Sequence, residues 1–200
     1  MMFSFPDYLL LFIALFNFVL SGFIFVNNPR NKINILFTVY AFFLTLWSVL
    51  LLIFRNISIE YASFFMRAIY VSGLGIAIAL WELVRYFPKE EKPPHSFSSW
   101  LGLAAGIAVS ATMFIPDFIV ISSYILPDAT RSVVLNPLGY WTFFIIFFFY
   151  YGSALGKFLF RLPNTEGLLK RQTGLILTGT TIAVVFGGYF NIILPSPSFD

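Results

Sequence analysis

Long apolar runs closed by short polar or proline-bearing breaks constrain this chain more than any other feature. They cover residues 8–26, 33–54, 61–84, 98–115, 141–160 and 170–193, and "NNPRNK", "RNISIE" and "RYFPKEEKPPH" end the first three. A helix needs about 20 residues to cross about 30 Å of hydrocarbon, and most of the runs are near that length. Strands of a membrane β-barrel would be about half as long and would alternate in polarity. These runs do not alternate. The expected fold is therefore an all-α membrane protein, a polytopic bundle of six spans forming one integral-membrane domain over residues 1–200.

Charge content supports that solvent. Charged residues make up 10% of the chain and mean hydropathy is +0.87, against about 25% charged residues in soluble domains. There is no cysteine, which excludes disulfides and thiolate chemistry. The first run lacks a basic leader and a small-residue cleavage site, so it reads as a retained span rather than a signal peptide.

Orientation follows from lysine and arginine. Arg30, Lys32, Arg85, Lys89, Lys92, Lys157, Arg161, Lys170 and Arg171 lie in or beside the 1/2, 3/4 and 5/6 connections, whereas only Arg55 and Arg131 lie in the 2/3 and 4/5 connections. Basic loops stay in the cytoplasm. The N-terminus is expected outside, in a cell membrane, and six spans return the C-terminus to the same side. The closing "ILPSPSFD" reads as a loop leading into a further helix.

Small and hydroxylated residues recur along the spans. Asn34, Thr38, Ala41, Thr45 and Ser48 form a stripe in span 2, Gly102, Gly106 and Ser110 one in span 4, and Gly152 and Gly156 one in span 5. Such stripes let helix backbones approach in lipid, and packing is preferred here over a ligand path. Thr178, Thr180 and Thr181 in span 6 can bond to their own backbone. Between spans 4 and 5, "DFIVISSYIL" and "RSVVL" flank "PDAT", the pattern of a short extracytoplasmic β-hairpin. It is expected to lie on the helix ends, as a cap or as a connector.

Catalytic constellations are absent. His95 is the only histidine and stands in a proline-rich loop, so histidine-based metal sites are excluded. "GLG" at Gly73 to Gly75 lacks the third glycine of a dinucleotide fingerprint, and "NIS" at Asn56 is a weak glycosylation match in a loop close to the membrane. The basic residues are a topology signal and give no argument for nucleic acid. The chain is expected to be no enzyme by itself, with no cofactor and no metal.

The charges of the third span divide into two kinds. Glu82 and Arg85 are three apart, close enough to pair, and sit at the expected cytoplasmic edge, where charges snorkel cheaply. Arg67 lies about two turns into its helix, with Glu60 as a candidate partner. It reads either as a functional intramembrane charge or as a structural anchor.

The order of these features resembles a known family, the N-terminal seven-transmembrane sensor region of histidine kinases. The resemblance rests on "NNPRNKINILFTVYAFFLTLWSVLLLIF" with Asn34, Phe37 and Trp47, on Arg67, Gly73 and "RYFP" in span 3, and on "LLKRQTGLILTGTTIAVVFGGYFNIILP" in span 6. It implies a sensory input module that passes a stimulus to a cytoplasmic output domain. Its partners would be the lipid bilayer, a small or hydrophobic signal, the output domain and a second copy in a homodimer. Arg67, Gln172, Asn191 and Trp47 are the ligand or signalling candidates. The family pattern has a seventh span and an output domain beyond these six, so the chain is expected to be a fragment of a longer protein. The alternative is a small multi-pass transporter or permease subunit. Transporters often show internal repeats and helices broken at mid-membrane, whereas here Pro88, Pro116 and Pro163 fall at span ends.

Overall fold

A computed structural model describes residues 4–87, 97–127 and 131–188. The elements are α1 (Phe5–Asn27), α2 (Lys32–Asn56), α3 (Ile59–Tyr86), α4 (Phe97–Thr112), β1 (Val120–Ile125), β2 (Arg131–Leu135), α5 (Pro137–Arg161), a 3-10 turn (Leu162–Asn164) and α6 (Gly167–Gly188). Among the described residues, α1, α2, α3 and α5 are long and apolar enough to cross a membrane, and α4 is a shorter apolar helix. Helix α6 begins three residues before the predicted span, so Lys170 and Arg171 stand in its first turns; residues 189–193 of that span lie outside the described residues.

Polar residues at the breaks form the turns. Asn31 caps α2 by accepting the Asn34 backbone N–H at 3.1 Å, and the Asn34 carboxamide donates to the carbonyls of Ile24 and Asn28 at the end of α1. Orphan groups of two helix ends are thus satisfied by two side chains. The other ends of the same helices are joined by Asp7, whose carboxylate accepts from Arg55 Nε at 2.7 Å and from the Ser4 hydroxyl and backbone N–H. Helices α1 and α2 are therefore antiparallel. The stripe in α2 faces α1: Thr38 donates to Ser21 O at 3.3 Å, and Ala41, Ser48, Ala14 and Ser21 are all buried.

Helix α3 is the centre of the bundle. Every residue from Ser72 to Leu80 is buried, the expected state of a helix apolar on all sides. It packs on α2, α4, α5 and β1. Gly75 admits the Phe43 ring, which would lie 2.4 Å from a Cβ there, and Gly106 of α4 admits Ile78, 2.7 Å from a Cβ. The α4 stripe is thus a contact with α3. The α5 stripe is not: Gly152 and Gly156 have nothing within 4 Å of a Cβ position. Helix α5 approaches its neighbours instead through aromatic side chains, including Phe143 on Tyr70 at 4.8 Å and Phe158 on Phe87 at 6.0 Å between ring centroids. Which face of a helix makes the contact cannot be read from the spacing of small residues alone when rings this large compete for the interface.

β1 and β2 pair antiparallel, with a register irregularity between Val120 and Ser122. They lie across the start of α3. Ser123 donates to Ile59 O at 3.1 Å, Arg131 donates to Arg55 O, and Ile119 and Val120 are fully buried. The entry to α5 is equally close, since a Cβ on Gly139 would sit 1.8 Å from the Phe118 carbonyl oxygen. These contacts define a strand end of the bundle. At the opposite, basic end, Arg161 donates to Val84 O and, at 2.6 Å, to Phe87 O, and the Lys32 ammonium stands 5.5 Å from the Tyr86 ring centroid.

Candidate functional site

A cleft of about 490 Å³ opens at the basic end, between the end of α1, the start of α2, the end of α3 and the start of α6. Its apolar walls include Phe23, Phe37, Leu83 and Ile176, and carboxamides of Asn27, Asn31, Asn34 and Gln172 line it. Local sequence explains the polar side. Three of the four carboxamides belong to the "NNPRNKIN" turn, where asparagines satisfy helix ends. Asn31 and Asn34 are committed to that turn by their bonds. An apolar concavity with a few polar groups is the usual form of a small-molecule site. Carboxamides both donate and accept, so the rim suits an uncharged polar group rather than an ion.

Gln172 thus lies at this cleft, with an exposed side chain. The other candidates do not join it. Trp47 is half-buried and packs with Leu50, Phe54, Ala62 and Ile69 between α2 and α3. Arg67 is at the strand end, its Nη2 donating to Val120 O at 3.0 Å and lying 3.9 Å from Asp117 Oδ1. Its acidic neighbour is therefore Asp117 and not Glu60, because the chain after α4 turns back over α3 at this level. Asp117 holds a positive φ of 60° in that turn. The Arg67 Nε is buried and makes no hydrogen bond. Asn191 lies outside the described residues.

Glu82 and Arg85 form the expected ion pair at 2.7 Å, with side chains only 16% and 10% exposed. No group of metal-binding side chains occurs among the described residues.

One further contact was not visible in the sequence. The Tyr151 phenol donates to the Thr180 carbonyl at 2.9 Å in a buried setting, fastening α6 to α5 about midway along α6. Thr173 is the other buried residue of α6 whose side chain is described, while Leu168, Leu175 and Ile182 are exposed. The cleft therefore has three walls belonging to the α1–α3 body and one wall, α6, which Tyr151 of α5 and Tyr40 of α2 both reach at Thr180.

No protein-family model, curated protein or solved structure matches the chain.

Proposed function

We propose that this chain is a membrane-embedded sensing module of a cell membrane. In this reading it has six spans with its N-terminus outside, β1 and β2 form an outer hairpin, and the basic end faces the cytoplasm. A small or hydrophobic signal, or a change in the membrane, acts at the cleft and shifts α6 against α1–α3. The shift is passed to a cytoplasmic output domain such as a histidine kinase. Such a signal must bind the two arrangements with different free energy.

The observation that carries the reading is the cleft itself, with one wall contributed by the helix that would transmit. Charge placement supports the orientation, since Arg30, Lys32, Arg85, Lys157, Arg161, Lys170 and Arg171 gather at one end. The family resemblance supplies the output class.

A fusion of the chain to a histidine-kinase catalytic core, assayed for autophosphorylation in membranes, tests the proposal. Ile176→Trp fills the cleft and is expected to change basal output at least about fivefold, the lower range of allosteric couplings. Phe16→Trp, on an exposed face of α1, is expected to leave it unchanged. Equal output from both variants and the parent would overturn the reading.

A further inference from the structure

The end of α3 and the end of α5 hold a concentration of positive charge around one indole. The Arg85 guanidinium carbon lies 5.2 Å and the Lys157 ammonium 5.0 Å from the Trp81 ring centroid. The Tyr150 ring meets the same indole edge-on at 5.5 Å, and Gly102 of α4 lets the two helices close around it, a Cβ there lying 3.2 Å from the ring. Arg161 is one turn beyond Lys157 on α5 and caps the α3 end.

Three cations thus share one carboxylate among the described residues. Glu82 is bonded to Arg85 at 2.7 Å, and the Arg161 guanidinium is engaged with two carbonyl oxygens. No acidic oxygen lies within ion-pair distance of Lys157 among the described residues. Cation–π attraction holds the ammonium in place, but it neutralises no charge. On the neighbouring turns of α4 and α5, Phe160, Leu159, Trp100 and Leu101 are all exposed. An excess of positive charge adjoining lipid-facing apolar side chains complements one kind of molecule, with a negative head and hydrocarbon tails. Trp100 adds a ring of the type found at membrane interfaces.

We propose that the phosphate of an anionic phospholipid binds at Lys157, beside Arg85 and Arg161, with its acyl chains along the apolar surface of α4 and α5. The phosphate balances the positive charge that these three cations carry in excess of Glu82 among the described residues, and the Trp81 ring holds Arg85 and Lys157 beside it. The site is separate from the cleft, which lies on the α1, α2 and α6 side of α3.

Native mass spectrometry of the purified chain tests this, with phosphatidylglycerol and phosphatidylcholine of matched acyl chains titrated separately. The expected result is at least about tenfold tighter binding of phosphatidylglycerol to one saturable site, with Lys157→Gln abolishing the preference and Lys170→Gln, a change at the same end outside the cluster, retaining it. Helical circular dichroism of each variant confirms folding, and Lys157→Arg, which keeps the charge, is expected to retain the preference. Equal binding of the two lipids would overturn the proposal, as would a preference that survives Lys157→Gln. Displacement of phosphatidylglycerol by millimolar inorganic phosphate would overturn the lipid assignment in favour of a free anion. Lipid selectivity is read without any output domain, so its failure and that of the sensing proposal are separable.

Discussion

The phenol of Tyr151 donates to the carbonyl of Thr180 across 2.9 Å, joining α5 to α6 in the buried part of the bundle. An interhelical bond of this kind contributes about 0.6–1 kcal/mol. Tyr151→Phe keeps the ring and removes the donor. Amide hydrogen exchange around Thr180 is expected to rise about threefold to fivefold, with exchange in the centre of α3 unchanged. An equal rise in both helices would mean that the bond stabilises the whole bundle rather than α6.

Glycines that share a label in the sequence differ in consequence. A Cβ on Gly139 would meet the Phe118 backbone 1.8 Å away, whereas one on Gly152 meets nothing within 4 Å. Backbone cannot rotate aside as a ring can, so Gly139→Ala is expected to cost at least about 2 kcal/mol, in the upper range for overpacking. Gly152→Ala is expected to be neutral or slightly stabilising. Thermal unfolding in detergent compares them directly.

Arg67 links the helical core to β1 through the Val120 carbonyl. Its ion pair with Asp117 is long, at 3.9 Å, and Asp117 is 71% exposed. Exposed pairs contribute little, while a partly buried charged hydrogen bond is stronger, about 1.5–3 kcal/mol. Arg67→Gln should therefore loosen β1, read as faster protease cleavage near Val120, and Asp117→Asn should not. Comparable loosening by both would place the ion pair above the hydrogen bond.

Asp7 is 6% exposed at its side chain and receives bonds from Ser4 and Arg55. Asp7→Asn removes the charge at the α1 start and leaves Arg55 without its acid. A loss of about 1–2 kcal/mol is expected, seen as a lower melting temperature. Asp7→Asn paired with Arg55→Met should recover part of it, because no unpaired charge then remains. A double variant no more stable than Asp7→Asn would contradict this.

Periodicity and capping make much of the bundle legible in the sequence. The α2 stripe from Asn34 to Ser48 packs on α1 as its spacing implies, because hydroxyls and alanine at three- and four-residue intervals form one face. "NNPRNKIN" and "RYFP" mark helix ends through asparagine caps and proline. What spacing could not give is which faces meet across distant segments. Gly152 and Gly156 match the same pattern as Gly102 and Gly106, yet only the α4 pair touches α3. The partner of Arg67 depended on how the segment after α4 returns over α3, which rests on Asp117 and its turn. Of the four candidate residues, Gln172 came to the cleft because α6 starts at Gly167. Tyr151 was missed because a lone tyrosine in an aromatic-rich helix carries no signal of its partner.

The proposed sensing function requires α6 to occupy two arrangements against α1–α3, with the cleft between them. Because the chain has no cysteine, Asn31→Cys and Gln172→Cys introduce the only two thiols, one on each side of the cleft. Pulsed electron paramagnetic resonance on spin labels at these positions, with the protein in lipid nanodiscs, reports the distance distribution across it. Two populations are predicted, with their ratio shifted by Tyr151→Phe. One narrow population that Tyr151→Phe leaves unchanged would contradict the account.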